Sequence, residues 1–190
     1  METRHFALVS AYDKTGLVDF CRGLVRNGLG LLSTGGSART LSEAGLELEL
    51  IEKMTGMGAV LDHRVVTLQA QVHMGLLADL SNPKHLAQLK EHNAVPIDIV
   101  VGGFYPFGID PADFEHGDSP NDQIDVGGPC MARAGVKGDR VVVIDPTDYP
   151  LVLSELETKG EVTEEVRRYL KRKVFERTSQ LDGNIAKLFV

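Results

Sequence analysis

Short apolar runs of strand length alternate with segments of helical period along this chain, and that alternation limits the possible folds more than any other feature. Phe6-Ala7-Leu8-Val9 reads as a buried strand, and beyond Asp13-Lys14-Thr15-Gly16 the residues Leu17, Phe20, Cys21, Leu24 and Val25 recur at helical spacing. Asn27-Gly28 closes that helix, Leu29 to Leu32 supplies a second strand, and Thr34-Gly35-Gly36-Ser37 leads into a helix ending at Ala44-Gly45. Leu46 to Ile51 alternates apolar residues with glutamate, as a strand with one wet face does. Asn82-Pro83 opens a helix to about His92, Ile97 to Val101 and Arg140 to Ile144 read as strands, and a helix covers Tyr149 to Leu156. Val162 to Leu188 is a long helical pattern with an expected break at Asp182-Gly183. The order predicts an α/β fold, a mostly parallel sheet flanked by helices, with ligand contacts at the carboxyl ends of the strands. At 190 residues, one domain over residues 1–190 is expected. The stretch from Thr55 to Gly75 is too irregular for a helix or strand assignment, and Gly108 to Asn121, acidic and proline-containing, is expected to be a mobile loop.

The net charge of -7 and a pI near 5.3 argue against a nucleic-acid or membrane-surface binder. An acidic chain can still hold an anion, through a local cluster of cations and N–H donors. Two cysteines, Cys21 and Cys130, are too few for a disulfide framework and suit a reducing, cytoplasmic setting. The N-terminal apolar run is only strand-length, and no stretch approaches a membrane span, so a soluble, unprocessed chain is expected.

Candidate ligand contacts cluster in the turns after strands. Thr34-Gly35-Gly36-Ser37 follows a buried run and precedes a helix, so its backbone N–H groups and hydroxyls are arranged for an oxyanion, although a Gly-Gly turn also serves purely steric ends. Lys14 and Arg64 read either as phosphate ligands or as solvated surface charges. Gly102 and Gly103 end another strand and lead to Tyr105, a phenol held at a proline turn or simply the edge of the core. Asp125 precedes Val126-Gly127-Gly128 and reads as a helix cap or as a carboxylate beside N–H donors, with Lys137 at the far end of the following helix as its acid/base complement. His63 and His73 have no partners at metal-ligand spacing, so no metal site is expected, and no serine or cysteine has an evident activating partner. Walker A, G-x-G-x-x-G and G-x-S-x-G patterns are missing, which excludes the commonest nucleotide hydrolases, dinucleotide enzymes and α/β-hydrolases.

Taken together, Ser10-Ala11-Tyr12-Asp13-Lys14-Thr15-Gly16, Leu32-Ser33-Thr34-Gly35-Gly36-Ser37-Ala38, Arg64-Val65-Val66-Thr67-Leu68, Tyr105-Pro106-Phe107 and Ile124-Asp125-Val126-Gly127-Gly128-Pro129 resemble the IMP cyclohydrolase domain of the bifunctional purine-biosynthesis enzyme, in order and over essentially the whole chain. The resemblance implies a methylglyoxal-synthase-like fold and closure of the formamido nucleotide FAICAR to IMP, without cofactor or metal. It implies that Lys14, Thr34, Gly35, Gly36, Ser37, Arg64 and Thr67 hold the 5'-phosphate and ribose. Asp125 with the N–H groups of Val126 and Gly127, beside Gly102 and Gly103, would face the base, and Lys137 and Tyr105 would move protons. A homodimer is also implied, and the formyl-transfer domain of the family has no room in this chain; a separate formyltransferase is one source of the formylated substrate, and the sequence leaves that source open.

The chain departs from the family pattern at four places: Val66 stands for a lysine, Tyr12 for a serine, Gly103 for an asparagine, and Arg177-Thr178-Ser179-Gln180-Leu181 for a His-Thr-Ala-x-Tyr pattern. Phosphate recognition is therefore expected to be better kept than base recognition. The alternative is a purine-nucleotide-binding or regulatory module without catalysis; methylglyoxal synthase activity is weaker still, since it rests on fold analogy alone.

Overall fold

A computed structural model describes residues 5–105, 107 and 120–189. Its five strands are β1 (Phe6–Val9), β2 (Gly30–Ser33), β3 (Glu49–Leu50), β4 (Ile97–Val101) and β5 (Val141–Val143), and they form one parallel sheet in the order β3-β2-β1-β4-β5. The central strand β1 pairs Leu8 with Leu32 on one side and with Val100 on the other. Eight α-helices are described: α1 (Leu17–Arg26), α2 (Gly35–Glu43), α3 (Ile51–Thr55), α4 (Ala70–Leu77), α5 (Pro83–Glu91), α6 (Gly127–Lys137), α7 (Tyr149–Lys159) and α8 (Glu164–Ala186).

Side chains alternate across each strand, so the sheet builds a core on either face. Ala7, Val9, Leu31, Val101 and Val143 pack with Phe20 and Leu24 of α1, Val152 of α7 and Leu170 of α8. Leu8, Leu32, Val100 and Val142 pack with Val72 and Leu76 of α4 and Met131 of α6. One irregularity repairs the facing of β4. Phe6 pairs with Ile97 but Ala7 pairs with Ile99, so Asp98 is an extra residue that meets His5 Nδ1 at 2.7 Å.

Four expectations need correction. Of Leu46–Ile51 only Glu49–Leu50 pairs, because β3 is an edge with a single neighbour and Ile51 already opens α3, its side chain buried. Helix α4 starts at Ala70, inside the stretch left irregular, after a single antiparallel bridge between Val60 and Val65 and three left-handed residues, Leu61 to His63. Arg140 lies outside β5; it is buried, and its guanidinium donates to the carbonyls of Leu76, at 2.9 Å, and of Ala78. Helix α8 runs unbroken through Asp182-Gly183, anchored by buried Thr178 and Leu181 and by a 2.9 Å contact of Arg133 Nη2 with Asp182 Oδ2. Pro106 and the expected mobile segment up to residue 119 lie outside the described residues. No described helix is long and apolar enough to cross a membrane.

Candidate active site

The carboxyl ends of β1, β2 and β4 open onto one edge of the sheet, and the turns predicted to carry ligand contacts gather there. At the end of β2 the Ser33 hydroxyl donates to Val9 O at 2.7 Å, fixing that strand end to β1. Thr34 follows in extended conformation, and Gly35 takes a left-handed φ of 56°, a backbone that favours glycine and turns the chain into α2. The first turn of α2 receives no side-chain cap, so its leading N–H groups remain available to a ligand. Lys14 covers this helix end: its Nζ lies 3.7 Å from the point where a Cβ on Gly36 would sit. The ammonium also donates to Tyr12 O at 3.3 Å, which orients the chain of Lys14 back over the turn.

The hydroxyls of this turn have structural partners. Ser37 Oγ accepts from Ala11 N at 3.0 Å and donates to Ala11 O at 3.1 Å, strapping the β1 loop to α2. The Thr34 hydroxyl donates to Glu52 Oε1 at 2.6 Å. The other oxygen of that carboxylate, Oε2, is buried and has no hydrogen-bond partner among the described residues. Glu52 carried no sequence signal; the pairing of β3 with β2 brings α3 against the cradle.

On the other side of β1, Asp125 ties the β4 turn to α6. Its Oδ1 accepts from Gly128 N at 2.9 Å, and its Oδ2 accepts from Tyr105 N at 3.1 Å. The helix-cap reading holds, and the carboxylate is oriented by two N–H groups. Gly128 is required for this closeness, since a Cβ there would stand 2.6 Å from Asp125 Oδ2 and 3.1 Å from Gly103 O. The rings of Tyr105 and Tyr12 meet at 4.8 Å, tilted by 58°, and both are exposed. Tyr12 therefore joins the cradle turn to the Asp125 turn. Buried Thr67 reaches the start of α6, its Oγ1 3.4 Å from a Cβ position on Gly127.

Arg64 and Lys137 have other surroundings. The Arg64 guanidinium is bonded to Asp122, in the short 3-10 turn Pro120–Gln123 that precedes Asp125. Lys137 is exposed in the last turn of α6, ten residues from Gly127, or about 15 Å along the axis. It shares a groove of about 560 Å³ with Asp125, Val126, Cys130 and Arg133. A second cleft, of about 470 Å³, lies between Tyr12, Gly103 and Tyr105 on the sheet side and Arg177, Gln180 and Asn184 on α8. Asn184, beyond Asp182-Gly183, reaches the cleft because α8 does not break, which the sequence pattern hid. Among the described residues no group of His, Cys, Asp or Glu could hold a metal ion.

A family model described as MGS-like domain matches residues 16–130, which span the parallel strands β2 to β4, the glycine cradle and the Asp125 turn. The chain belongs to the MGS-like domain family. Residues 137–190 match the model described as AICARFT/IMPCHase bienzyme. The chain is 44% identical over 184 residues to the bifunctional purine biosynthesis protein PurH of Bacillus mycoides (strain KBAB4), and equally to that of Bacillus anthracis. These alignments cover 95% of this chain but 36% of the relatives, so the chain spans about a third of their length. The crystal structure of ForH superposes with a TM-score of 0.84 at 31% identity, covering all of both chains.

Proposed function

We propose that this chain is an IMP cyclohydrolase that closes FAICAR to IMP. The observation that carries the reading is the joining, through the Tyr12–Tyr105 contact, of a cationic glycine cradle to a turn whose carboxylate, Asp125, is oriented by two N–H groups. The similarity to PurH over 95% of the chain supports a role in purine biosynthesis.

In the reaction the carboxamide nitrogen of the substrate attacks its own formyl carbon. A C–N bond forms, the formyl oxygen takes up a proton, and the resulting hydroxyl departs as water with a second proton. The protein's part is to fold the substrate, hold the developing oxyanion and carry protons. Lys14 and the first N–H groups of α2 hold the 5'-phosphate. Asp125 accepts the proton of the attacking amide, the N–H groups of Val126 and Gly127 face the oxyanion, and the exposed Tyr105 phenol returns a proton to the leaving oxygen. Lys137 acts from the α6 groove; because it lies about 15 Å along the helix from Gly127, the reading includes a homodimer in which a second copy brings its own Lys137 to the turn.

The second reading is a purine-nucleotide-binding module without turnover. Val66 and Gly103 motivate it, since neither side chain offers a polar group to a base. Incubation of the purified protein with FAICAR, followed by chromatography for IMP, separates the two. Turnover above the uncatalysed rate supports the cyclohydrolase; calorimetric binding of IMP or AICAR with no turnover supports the module.

A further inference from the structure

The chain's two cysteines occupy opposite environments. Cys21 is fully buried in α1, and burial pushes its thiol up to about 12. Cys130 is half-buried in the first turn of α6 and lines the 560 Å³ groove. Its Sγ lies 3.3 Å from His73 Nε2, a contact between α6 and α4 across 57 positions of sequence. The other ring nitrogen of His73, Nδ1, lies 3.1 Å from the carbonyl oxygen of Gln69. A carbonyl only accepts, so the proton of the neutral ring sits on Nδ1, and Nε2 presents its lone pair to the thiol. A thiol, a basic nitrogen in line with it and a fixed tautomer are the elements of an activated nucleophile. The sequence offered no such partner for either cysteine; the packing of α4 on α6 supplies one.

We propose that Cys130, with His73 as its base, is a thiol-exchange site for anionic low-molecular-weight disulfides. The thiol proton passes to His73 Nε2 and the sulfur attacks one sulfur of the disulfide. A new S–S bond to Cys130 forms, the old one breaks, and the departing thiolate takes the proton back from the imidazolium. A thiolate at this position also meets the positive end of α6. The groove favours an anionic reagent, because Arg133 and Lys137 lie on the same face of the helix, one and two turns beyond Cys130. The bound half of the disulfide would fill the groove beside Asp125 and Val126, so exchange is a reversible block of that surface, independent of which reaction the site performs.

The test is intact-mass kinetics of the folded protein with glutathione disulfide, with peptide mapping of the adduct and N-acetylcysteine as the reference thiol. The expected result is a single adduct on Cys130, formed at least tenfold faster than on N-acetylcysteine, removed by Cys130→Ser and slowed at least tenfold by His73→Gln. A Cys130 rate no greater than the reference, an adduct on Cys21, or a folded His73→Gln variant with unchanged rate overturns it. Should His73→Gln fail to fold, the comparison of the unaltered protein with N-acetylcysteine decides alone.

Discussion

Lys14 lays its ammonium over Gly36, with Nζ 3.7 Å from the vacant Cβ position and the uncapped start of α2 beneath it. The side chain is exposed and makes no contact that the fold needs, so charge and fold are separable here. Lys14→Met should weaken IMP binding by about ten- to a hundredfold, the loss of one charge-assisted contact worth roughly 1.5 to 3 kcal/mol. Calorimetry in low and high salt checks this. The unfolding midpoint should not move.

Asp125 serves the helix and the site together, since one oxygen caps Gly128 N and the other holds Tyr105 N. Asp125→Ala should therefore lower both properties: stability by about 1 kcal/mol, the usual loss of a cap, and cyclohydrolase turnover to background. Denaturant melts and the FAICAR assay measure the two effects separately. A Tyr105→Phe variant keeps the backbone bond and should lose turnover alone.

An ion pair beneath α8 sets the acid limit of the fold. Lys173 Nζ meets Asp145 at 2.9 Å and Asp148 at 2.7 Å, and the Asp148 carboxylate also accepts from Tyr169 Oη at 3.0 Å. Burial works against ionisation of Asp145, but the Thr147 hydroxyl and N–H and the Lys173 ammonium outweigh it and hold the carboxyl at about 2. Glu155 is held at about 2 as well, by Lys159 and by the hydroxyl and N–H of Thr163. Folded values below the ordinary ones mean that both contributions are complete above about pH 5 and are lost as pH falls through about 2. Thermal melts at pH 6, 4 and 3 should show the midpoint falling across that window. Lys173→Met should cost about 3 kcal/mol at neutral pH, because it leaves the buried Asp148 without its cation.

Two glycines near the helix ends should respond in opposite directions to alanine. A Cβ on Gly138 would collide with Leu76 O, so Gly138→Ala must push α6 away from α4 and should destabilise by about 3 kcal/mol or more. Gly183 sits within the continuous helix α8, and among the described residues nothing beyond its own helical backbone and chain neighbours lies within 4 Å of its Cβ position. Gly183→Ala should stabilise by about 0.5 to 1 kcal/mol, through helix propensity alone. Urea denaturation of both variants checks the pair, and a loss of stability in Gly183→Ala would argue for a break in α8.

The strands and helices were legible where a local pattern repeats. Phe6–Val9, Ile97–Val101 and Pro83–Glu91 fall where the apolar period and the Asn82 cap put them, with Asn82 Oδ1 accepting from Lys84 N at 3.0 Å. Leu46–Ile51 misled because an alternating pattern tells of one wet face and not of how many neighbours a strand has. Asp182-Gly183 misled because glycine's weak helix propensity yields to the burial of Leu181 beside it.

The sequence by itself determined the alternation of strands and helices outside residues 46–77, the glycine turns after strands and the aspartate just ahead of α6. These depend on backbone freedom, side-chain period and capping, which act over a few residues. Only the tertiary structure decided what the turns' side chains do. Strand order laid Glu52 against Thr34, the Ser37 strap onto Ala11, Tyr12 against Tyr105 and His73 against Cys130, pairs 18, 26, 93 and 57 positions apart. Contacts at such separations leave no period in the chain; they are fixed when the sheet and its two helical layers close.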